Sequence, residues 1–478
     1  MTKYKVIIGM EVHIELQTKG KLFTNVSADF FGKLPNRNVH PLCLGMPGTL
    51  PVINQEAVAY AIMTGSVLNC TVHPYSVFAR KHYFYPDLPK GYQISQYEKP
   101  ICTTGDIIIE VNGQAKQIGI TRLHLEEDTG KLTHVEDGSL VDLNRAGVPL
   151  MEIVSEPDMR TAEEAYIYVN QIRQIVRYLG VSTGDMEKGA MRCEVNLSLK
   201  PIGSKVLGTK VEIKNLNSFR TVRNSIDYEI KRQTKVLDEG GKIEQVTMGW
   251  DEDNKKTVVR RRKEDAHDYR YFPEPDLPPL NLDPAWIEKI ISTMPELPTS
   301  KVKRYVEEWG LSKEQANILT ENSERAEYFE RLVVTAKDNV PTKSIADWVQ
   351  GELFRYLNET NVTIDDIKFT PDDFIRVIKL VKDGTINRLA GKEVLAEIWQ
   401  TGDKPDQIIK AKGLKQISDS GALETIVDKV IADNPKPVAQ FKGGKEATMK
   451  FLVGQVMRHS RGKANPKMAE KMLRKKLT

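Results

Sequence analysis

Cysteine is scarce in this sequence. The 478 residues include four cysteines, Cys43, Cys70, Cys102 and Cys193, and no two of them form a Cys-x-x-Cys pair. This spacing fits a reducing compartment better than a disulfide framework. His40 and Cys43 are spaced like half of a zinc site, but no second pair completes it. The spacing therefore gives zinc only weak support.

Long apolar runs are also absent. No stretch approaches the roughly 18 apolar residues of a membrane-spanning helix. The N-terminus mixes Lys3, Lys5 and Glu11 with its apolar residues, which is unlike a signal peptide. We therefore expect a soluble, cytoplasmic protein that does not engage a membrane.

The sequence lacks the glycine-rich loops that bind phosphate. Residues 443–446 read GGKE, without the upstream glycine and the Ser or Thr that a Walker motif needs, and no G-x-G-x-x-G motif occurs. A nucleotide would therefore have to bind on the surface of a sheet.

Positive charge is clustered near the C-terminus. The net charge is only +4, yet residues 451–478 contain a single acid, Glu470. The bases of this tail are Arg458, Arg461, Lys463, Lys467, Lys471, Arg474, Lys475 and Lys476. Clustered bases on a small helical segment favour contact with an RNA backbone. The alternative is a helix end that only improves solubility.

The pattern of the chain changes near residue 300. Residues up to about 280 alternate apolar and polar positions between turns, which predicts strands, with helices at 162–179 and 219–237. A proline-rich run at 272–280 closes this half, and the remainder has helical periodicity. We predict an α+β protein, with a strand-rich domain followed by helical domains.

One polar pattern recurs among the predicted strands. In residues 9–16 (GMEVHIEL), Glu11, His13 and Glu15 alternate with apolar residues and must share one face of a strand. Residues 122–126, 192–197 and 210–214 repeat the design. Each strand would place its apolar side in a core and its acids, beside basic residues, on the other face.

These strands would bring their carboxylates together if they shared one sheet. The converging side chains would be Glu11, His13, Glu126, Glu194 and Glu212, with Glu152 as a further candidate. Such carboxylates repel unless a cation lies among them, and oxygen ligands favour Mg²⁺ or Mn²⁺. Neighbouring Arg122, Arg192, Lys210 and Lys214 could hold phosphate, as in phosphoryl transfer. A purely structural charge network is the alternative.

Two aromatic segments also stand beside basic residues. They are residues 80–87 (RKHYFYPD) and 268–273 (DYRYFP). Their rings could stack on a base or ribose, or could pack beneath loops. Residues 215–218 (NLNS) can cap the following helix and could offer its N-terminus to an anion.

Several longer motifs together resemble a known family. They are residues 9–16, 80–87, 91–96 (GYQISQ), 125–128 (LEED), 141–145 (VDLNR), 152–158 (EIVSEPD), 214–218 (KNLNS), 268–276 (DYRYFPEPD), 451–457 (FLVGQVM) and 462–466 (GKANP). In this order, and over the whole length, they resemble the B subunits of heterotrimeric aspartyl/glutamyl-tRNA amidotransferases.

The resemblance implies an activity, cofactors and partners. The implied reaction uses ATP and Mg²⁺ to phosphorylate the side-chain carboxylate of Glu-tRNA(Gln) or Asp-tRNA(Asn), which ammonia then converts to the amide. The implied partners are the A subunit, which is the glutaminase (amidase), the small C subunit and the mischarged tRNA. This chain lacks the Ser-Ser-Lys signature of amidases, which agrees with a separate source of ammonia.

The resemblance also implies three domains, and we add a set of site residues that goes beyond what the shared motifs fix. The domains would be a cradle-shaped catalytic domain at 1–293, a helical domain at 294–405 and a tRNA-binding helical tail at 406–478. We assign catalysis to Glu11, His13, Glu126 and Lys214; ATP or phosphate binding to Lys81, Arg122, Arg192 and Lys210; metal binding to Glu11, His13, Glu126, Glu152, Glu194 and Glu212; and tRNA binding to Arg458, Arg461, Lys463 and Lys467. A non-catalytic tRNA-binding scaffold and a metal-dependent phosphohydrolase are the alternatives.

Overall fold

The computed structural model describes residues 3–262, 269–360, 362–416, 420–460 and 462–477. The chain divides into two compact units, Met1–Leu297 and Pro298–Thr478. The first unit contains the strands and the second is helical. The α+β prediction is confirmed, whereas the domain boundaries at 293/294 and 405/406 stay predictions.

The first unit consists of short and long strands with four helices. Its strands are β1 (Tyr4–Glu15), β2 (Thr71–Val72), β3 (Tyr75–Ser76), β4 (Phe78–His82), β5 (Tyr92–Gln96), β6 (Cys102–Val111), β7 (Gln114–Glu127), β8 (Lys131–Val135), β9 (Gly138–Asp142), β10 (Pro149–Ser155), β11 (Met191–Pro201), β12 (Val211–Leu216), β13 (Val246–Asp251), β14 (Lys256–Arg262), β15 (Phe272–Pro273) and β16 (Leu280–Asn281). Its helices are α1 (Gln55–Val67), α2 (Ala162–Tyr178), α3 (Phe219–Asp238) and α4 (Pro284–Ser292), with a 3₁₀ turn at Pro41–Leu44.

One large sheet organises this unit. Its nine strands lie in the order β14-β13-β12-β11-β1-β10-β7-β6-β2, and all neighbours are antiparallel except β12 and β13. The N-terminal strand β1 therefore lies in the middle, between β10 and β11. A separate three-stranded sheet, β15-β4-β5, contacts the large sheet through β5 and β7.

The apolar face of β1 lies in the main core. Ile8, Met10, Val12 and Ile14 are at most 1% exposed, as the alternating pattern predicted. Helices α1, α2 and α3 pack over strands of this sheet and contribute to the same core. Two of these helices have the predicted position, and each begins at a side-chain cap. The Thr161 hydroxyl accepts a hydrogen bond from Glu164 N, and the Ser218 hydroxyl accepts one from Thr221 N.

The second unit is built from helices and has two separate cores. The helices are α5 (Pro298–Glu307), α6 (Lys313–Leu319), α7 (Ser323–Ala336), α8 (Thr342–Trp348), α9 (Phe354–Thr360), α10 (Pro371–Lys382), α11 (Arg388–Thr401), α12 (Pro405–Lys412), α13 (Ser420–Asp433), α14 (Pro435–Lys442), α15 (Ala447–His459) and α16 (Pro466–Leu477), with a π-helical turn at Val349–Leu353 and a 3₁₀ turn at Ile364–Asp366. One core includes Ile408 and Ile409 of α12, and the other is formed by α13–α16. In the described part of the chain, no helix has the length and apolar character needed to cross a membrane.

Candidate active site

The polar face of β1 is the starting point of the site. Register places His13 opposite Glu152 of β10 on one side and opposite Arg192 of β11 on the other. Glu152 in turn lies opposite His124 of β7, and Glu11 lies opposite Glu194. Because residues opposite each other on paired strands share a face, the recurring polar pattern comes together on one side of the sheet.

Three of these side chains form a compact group, called here the His13 cluster: His13, Glu126 and Glu152. Each offers one ligand atom, and the three atoms lie within 4.8 Å of one another. His13 Nε2 is 3.4 Å from Glu152 Oε2 and 4.0 Å from Glu126 Oε1. The two carboxylates are almost fully buried. This is a close pairing of negative charges with little water around them.

Burial and neighbouring charges shift the pKa values of this cluster in opposite directions. Burial alone would lower the pKa of His13, but its hydrogen bond to Glu152 and the nearby carboxylates raise it to about 9. Burial likewise opposes ionisation of Glu152, yet the imidazoles of His124 and His13 hold its pKa below the usual range. Burial raises the pKa of Glu126, although Lys81 opposes the shift. Burial lowers the pKa of His124 to about 4, so that ring is neutral at pH 7.

A second group, the Glu11 cluster, consists of Glu11, Glu194 and Glu212, whose ligand atoms also lie within 4.8 Å of one another. Lys214 Nζ is 2.8 Å from Glu194 Oε2 and 3.5 Å from Glu212 Oε1. Burial and the carboxylates of Glu152 and Glu194 raise the pKa of Glu11. The structure thus separates the predicted metal ligands into two adjacent groups.

The donors of both clusters suit Mg²⁺. Their ligand atoms are carboxylate oxygens with one imidazole nitrogen and no sulfur, as hard divalent cations prefer. Asn196 donates its amide nitrogen to Glu11 Oε1 at 2.9 Å. Its amide oxygen is buried and has no hydrogen-bond partner among the residues that the structure describes. An oxygen left without a donor beside three carboxylates is consistent with a cation at the Glu11 cluster.

The predicted phosphate ligands have different surroundings. Lys81 is close enough to Glu126 for that carboxylate to raise its pKa, although burial opposes the shift. Arg122 Nη2 is 3.8 Å from Glu152 Oε1. Arg192 donates to Asp128 Oδ2 at 2.8 Å, whereas Lys210 is exposed just before β12 begins. The structure brings Lys81 and Arg122 to the His13 cluster, and the phosphate-binding roles stay predictions.

Glu15 lies apart from both clusters. Burial and the neighbouring Asp128 raise the pKa of Glu15 to about 8. Asp128 is itself paired with Arg192, and its carboxylate is 3.5 Å from Arg145 Nε. The far end of the β1 polar stripe therefore belongs to an acid–base network with Asp128 at its centre.

The two aromatic segments pack against each other. Residues 269–276, called the strap, run beside β4, with Phe272 opposite Arg80. The Tyr271 ring stacks on Tyr97 at 4.2 Å between centroids, and Lys81 Nζ lies 5.2 Å from the Tyr269 ring centroid. The strap thus places tyrosines beside the lysine that faces Glu126. Asp268, part of the same motif, lies outside the described residues.

Arg80 holds the strap in place. Its Nε and Nη2 donate to the two carboxylate oxygens of buried Glu274 at 2.7 and 2.8 Å, and Nη2 also donates to Asp276 at 3.1 Å. The guanidinium carbon lies 4.2 Å from the Tyr92 ring centroid. A fork-shaped cation is needed for this geometry, because lysine offers a single point of contact.

Arg80→Lys is therefore expected to loosen the strap while keeping the charge. We expect a loss of about 2 kcal/mol in unfolding free energy, seen as a lower midpoint of thermal unfolding and faster proteolysis near residue 269. Arg220→Lys, at an exposed position near the start of α3, is the control and should leave both unchanged. Equal behaviour of the two variants would contradict the role of Arg80.

The half zinc motif has a structural use. His40 Nδ1 accepts a hydrogen bond from Leu42 N at 3.1 Å and so caps the 3₁₀ turn. The Cys43 thiol donates to Ala146 O at 3.3 Å. Within the described ranges, neither residue belongs to a group of three potential metal ligands.

The predicted RNA-binding residues lie at the end of the second unit. Arg458 and Lys467 are exposed, and Lys463 is half-buried; Arg461 lies outside the described residues. Two other bases of the tail have structural partners, since Arg474 bonds to Glu446 and Glu470 and Lys476 bonds to Asp428. Only part of the tail's charge is therefore available to a ligand.

Some residues of the site were not predicted. They are Ser95, His124, Asp128, Asn196 and Thr247. Thr247 donates to Glu212 at 2.8 Å from a strand that the sequence pattern did not reveal. His124 and Asn196 stand in the recurring polar pattern, so the alternation itself was the available signal.

Carboxylates grouped on one sheet face, partly or fully buried and with cations beside them, are typical of an enzyme active site rather than of a scaffold. Comparison with known families agrees. The GatB/GatE catalytic domain family matches residues 6–288, and the GatB domain family matches residues 327–477. The chain belongs to the GatB/GatE family, and the predicted family and enzyme class are confirmed.

Relatives also match this chain over its whole length. The chain is 50% identical to the B subunit of the aspartyl/glutamyl-tRNA(Asn/Gln) amidotransferase of Carboxydothermus hydrogenoformans, over 100% of this chain and 99% of that protein. It is 49% identical to the protein of that name from Thermoanaerobacter pseudethanolicus, over 100% of both chains, and 50% identical to that of Brevibacillus brevis, over 100% of this chain and 99% of the relative.

Proposed function

We propose that this chain is the activating component of a tRNA-dependent amidotransferase. It uses ATP to phosphorylate the side-chain carboxylate of Glu-tRNA(Gln), Asp-tRNA(Asn) or both, and ammonia then converts the product to Gln-tRNA(Gln) or Asn-tRNA(Asn). The observation that carries the proposal is the pair of carboxylate clusters on one sheet face, flanked by Lys81, Arg122 and Lys214, in a chain of this family.

The chemistry explains why phosphorylation comes first. A carboxylate is a poor electrophile at neutral pH. When its oxygen attacks the terminal phosphorus of ATP, ADP leaves and an acyl phosphate forms. Ammonia then attacks the acyl carbon, inorganic phosphate leaves with the former carboxylate oxygen, and the nitrogen loses a proton to become the amide.

The site residues have separate roles in this proposal. The His13 and Glu11 clusters would hold Mg²⁺, which would neutralise charge on the ATP phosphates. His13 must be neutral to bind a metal, so metal binding would release the proton that its raised pKa retains. Lys81, Arg122 and Lys214 orient phosphate oxygens, and the tyrosines of the strap limit access of water to Lys81.

The remaining parts of the proposal concern partners and place. Ammonia comes from the A subunit, which is the glutaminase. The small C subunit completes the heterotrimer, and the complex works in the cytoplasm. The helical tail at 406–478 contacts the mischarged tRNA. The described tail bases Arg458, Lys463 and Lys467 support this assignment by having no carboxylate within 4 Å among the described residues.

A side-by-side assay of the assembled trimer tests the proposal. We expect ATP- and glutamine-dependent conversion of Glu-tRNA(Gln), Asp-tRNA(Asn) or both, with one ADP released per amide formed. Omission of ATP should abolish conversion while glutaminase activity persists. Hydrolysis of ATP at the same rate without tRNA, and with no amide formed, would instead indicate a phosphohydrolase.

A further inference from the structure

The outer end of the large sheet contains a base that no motif indicated. Strands β13 and β14 pair with Thr247 opposite Arg261 and Met248 opposite Val259, so Arg260 has no partner of its own. An extra residue in one strand is a β-bulge, which turns a side chain away from the regular alternation. The bulge therefore changes the direction of Arg260.

The direction of the Arg260 side chain can be read from Gly249. A methyl group at Gly249 would lie 2.7 Å from Arg260 Nε and 3.0 Å from its Cγ, both too close for contact. The Arg260 side chain thus lies across β13 at Gly249, the position where β13 has no side chain to block it. Gly249 lies opposite Lys214 of β12, so its Cβ position is on the face that contains Lys214.

This places the Arg260 side chain on the sheet face that contains the Glu11 cluster. Lys214, on the other side of Gly249, is paired with Glu194 and Glu212. Arg260 is exposed, and among the described residues it has no carboxylate within 4 Å and no hydrogen bond. The lysine is largely neutralised by the cluster, whereas the guanidinium next to it is left available.

We propose that Arg260 is a phosphate-contacting residue at the rim of the Glu11 cluster, and that Gly249 leaves space for its side chain. The ligand is a phosphate group, because a guanidinium can donate two parallel hydrogen bonds to a pair of phosphate oxygens. It belongs either to ATP or to the backbone of the tRNA acceptor end. This inference rests on the proposed function for the identity of those two ligands.

The alternative explanation is that Arg260 only protects an edge strand, since β14 ends the sheet and bases commonly discourage edge pairing. Lys256 provides the matched control. It is an exposed base on the same strand, about 13 Å away along it at about 3.3 Å per residue. An edge-protecting role would make the two residues equivalent.

Equilibrium binding to the full-length chain is the first test. ATP with Mg²⁺ and, separately, an uncharged tRNA(Gln) transcript are titrated against the wild type, Arg260→Ala, Arg260→Lys and Lys256→Ala. We expect Arg260→Ala to weaken one of the two ligands about tenfold, the size of a charge-assisted contact. Arg260→Lys should recover part of the loss, and Lys256→Ala should have no effect. The ligand affected identifies the source of the phosphate.

The glycine provides an independent test through a double-mutant cycle. Gly249→Ala should weaken the same ligand, because the added methyl group displaces the arginine, and should have no further effect in the Arg260→Ala background. Unchanged binding of both ligands by Arg260→Ala, or an equal effect of Gly249→Ala in both backgrounds, would overturn the inference. Thermal unfolding of each variant identifies any that misfold.

Failure of the Arg260 inference can be distinguished from failure of the proposed function. Binding by the isolated chain reports on Arg260 whether or not the trimer amidates tRNA. In the assembled trimer, loss of the contact should raise the KM for the affected substrate by a similar factor and leave kcat nearly unchanged. A wild-type trimer that forms no amide would reject the proposed function alone.

Discussion

Replacement of Glu152 by glutamine is expected to reduce ATP-dependent amidation by the assembled enzyme by at least about a thousandfold. Glu152 lies at the centre of the His13 cluster, 3.4 Å from both His13 and His124 and 3.8 Å from Arg122. The substitution keeps the shape of the side chain but removes the charge that offsets these groups. The trimer should still assemble.

Two measurements, assembly of the trimer and binding of metal, distinguish loss of the site from loss of the fold. Titration with Mn²⁺, followed by electron paramagnetic resonance, should show weaker metal binding by Glu152→Gln and by His13→Ala. Glu156→Gln is the matched control, because Glu156 is an exposed carboxylate just beyond the same strand. Full activity and unchanged Mn²⁺ affinity in Glu152→Gln would refute the assignment of the His13 cluster.

Reversing the charge of Arg458, Lys467 and Lys471 together is expected to weaken tRNA binding at least about a hundredfold at about 50 mM salt, and to make the remaining affinity less sensitive to salt. All three side chains are exposed. Deletion of the tail would be a poorer experiment, because α15 and α16 share a core with α13 and their loss would expose it. Substitution to glutamate leaves that core intact.

A second triple substitution shows whether position matters or only net charge. Lys436, Lys442 and Lys445 are exposed bases in and just after α14, and their reversal changes the net charge by the same amount. Filter binding across a range of salt concentrations should show a much smaller effect. Equal losses of tRNA affinity from both sets of substitutions would mean that the tail has no defined RNA-binding surface. Glutaminase activity should persist in every variant.

Local features of the structure were predictable because they depend on neighbours in sequence. Alternation alone placed Glu11, His13 and Glu15 on one face of β1. Periodicity predicted α2 and α3, and Ser218 was a predicted cap of α3. In these segments the choice between strand and helix follows from the spacing of apolar residues. The spacing does not show which other segments each strand or helix contacts.

Pairing between distant strands decided the rest of the site. The sequence gathered the acidic residues into one predicted group, and only the order β11-β1-β10 separates the His13 cluster from the Glu11 cluster. The Asp128 network formed in the same way, since Asp128 follows β7 and meets Arg192 of β11. The bulge at Arg260 was hidden because a run of three arginines, at 260–262, reads as an ordinary basic edge.

The central place of β1 has a consequence for how the protein is made. This strand is synthesised well before its partners β10 and β11, which are encoded far downstream. At about 5–20 residues per second, β10 follows β1 by about 7–30 s. During that interval Ile8, Met10, Val12 and Ile14 have no sheet to join. The strand that organises the site is therefore also the segment that most needs protection from aggregation during synthesis.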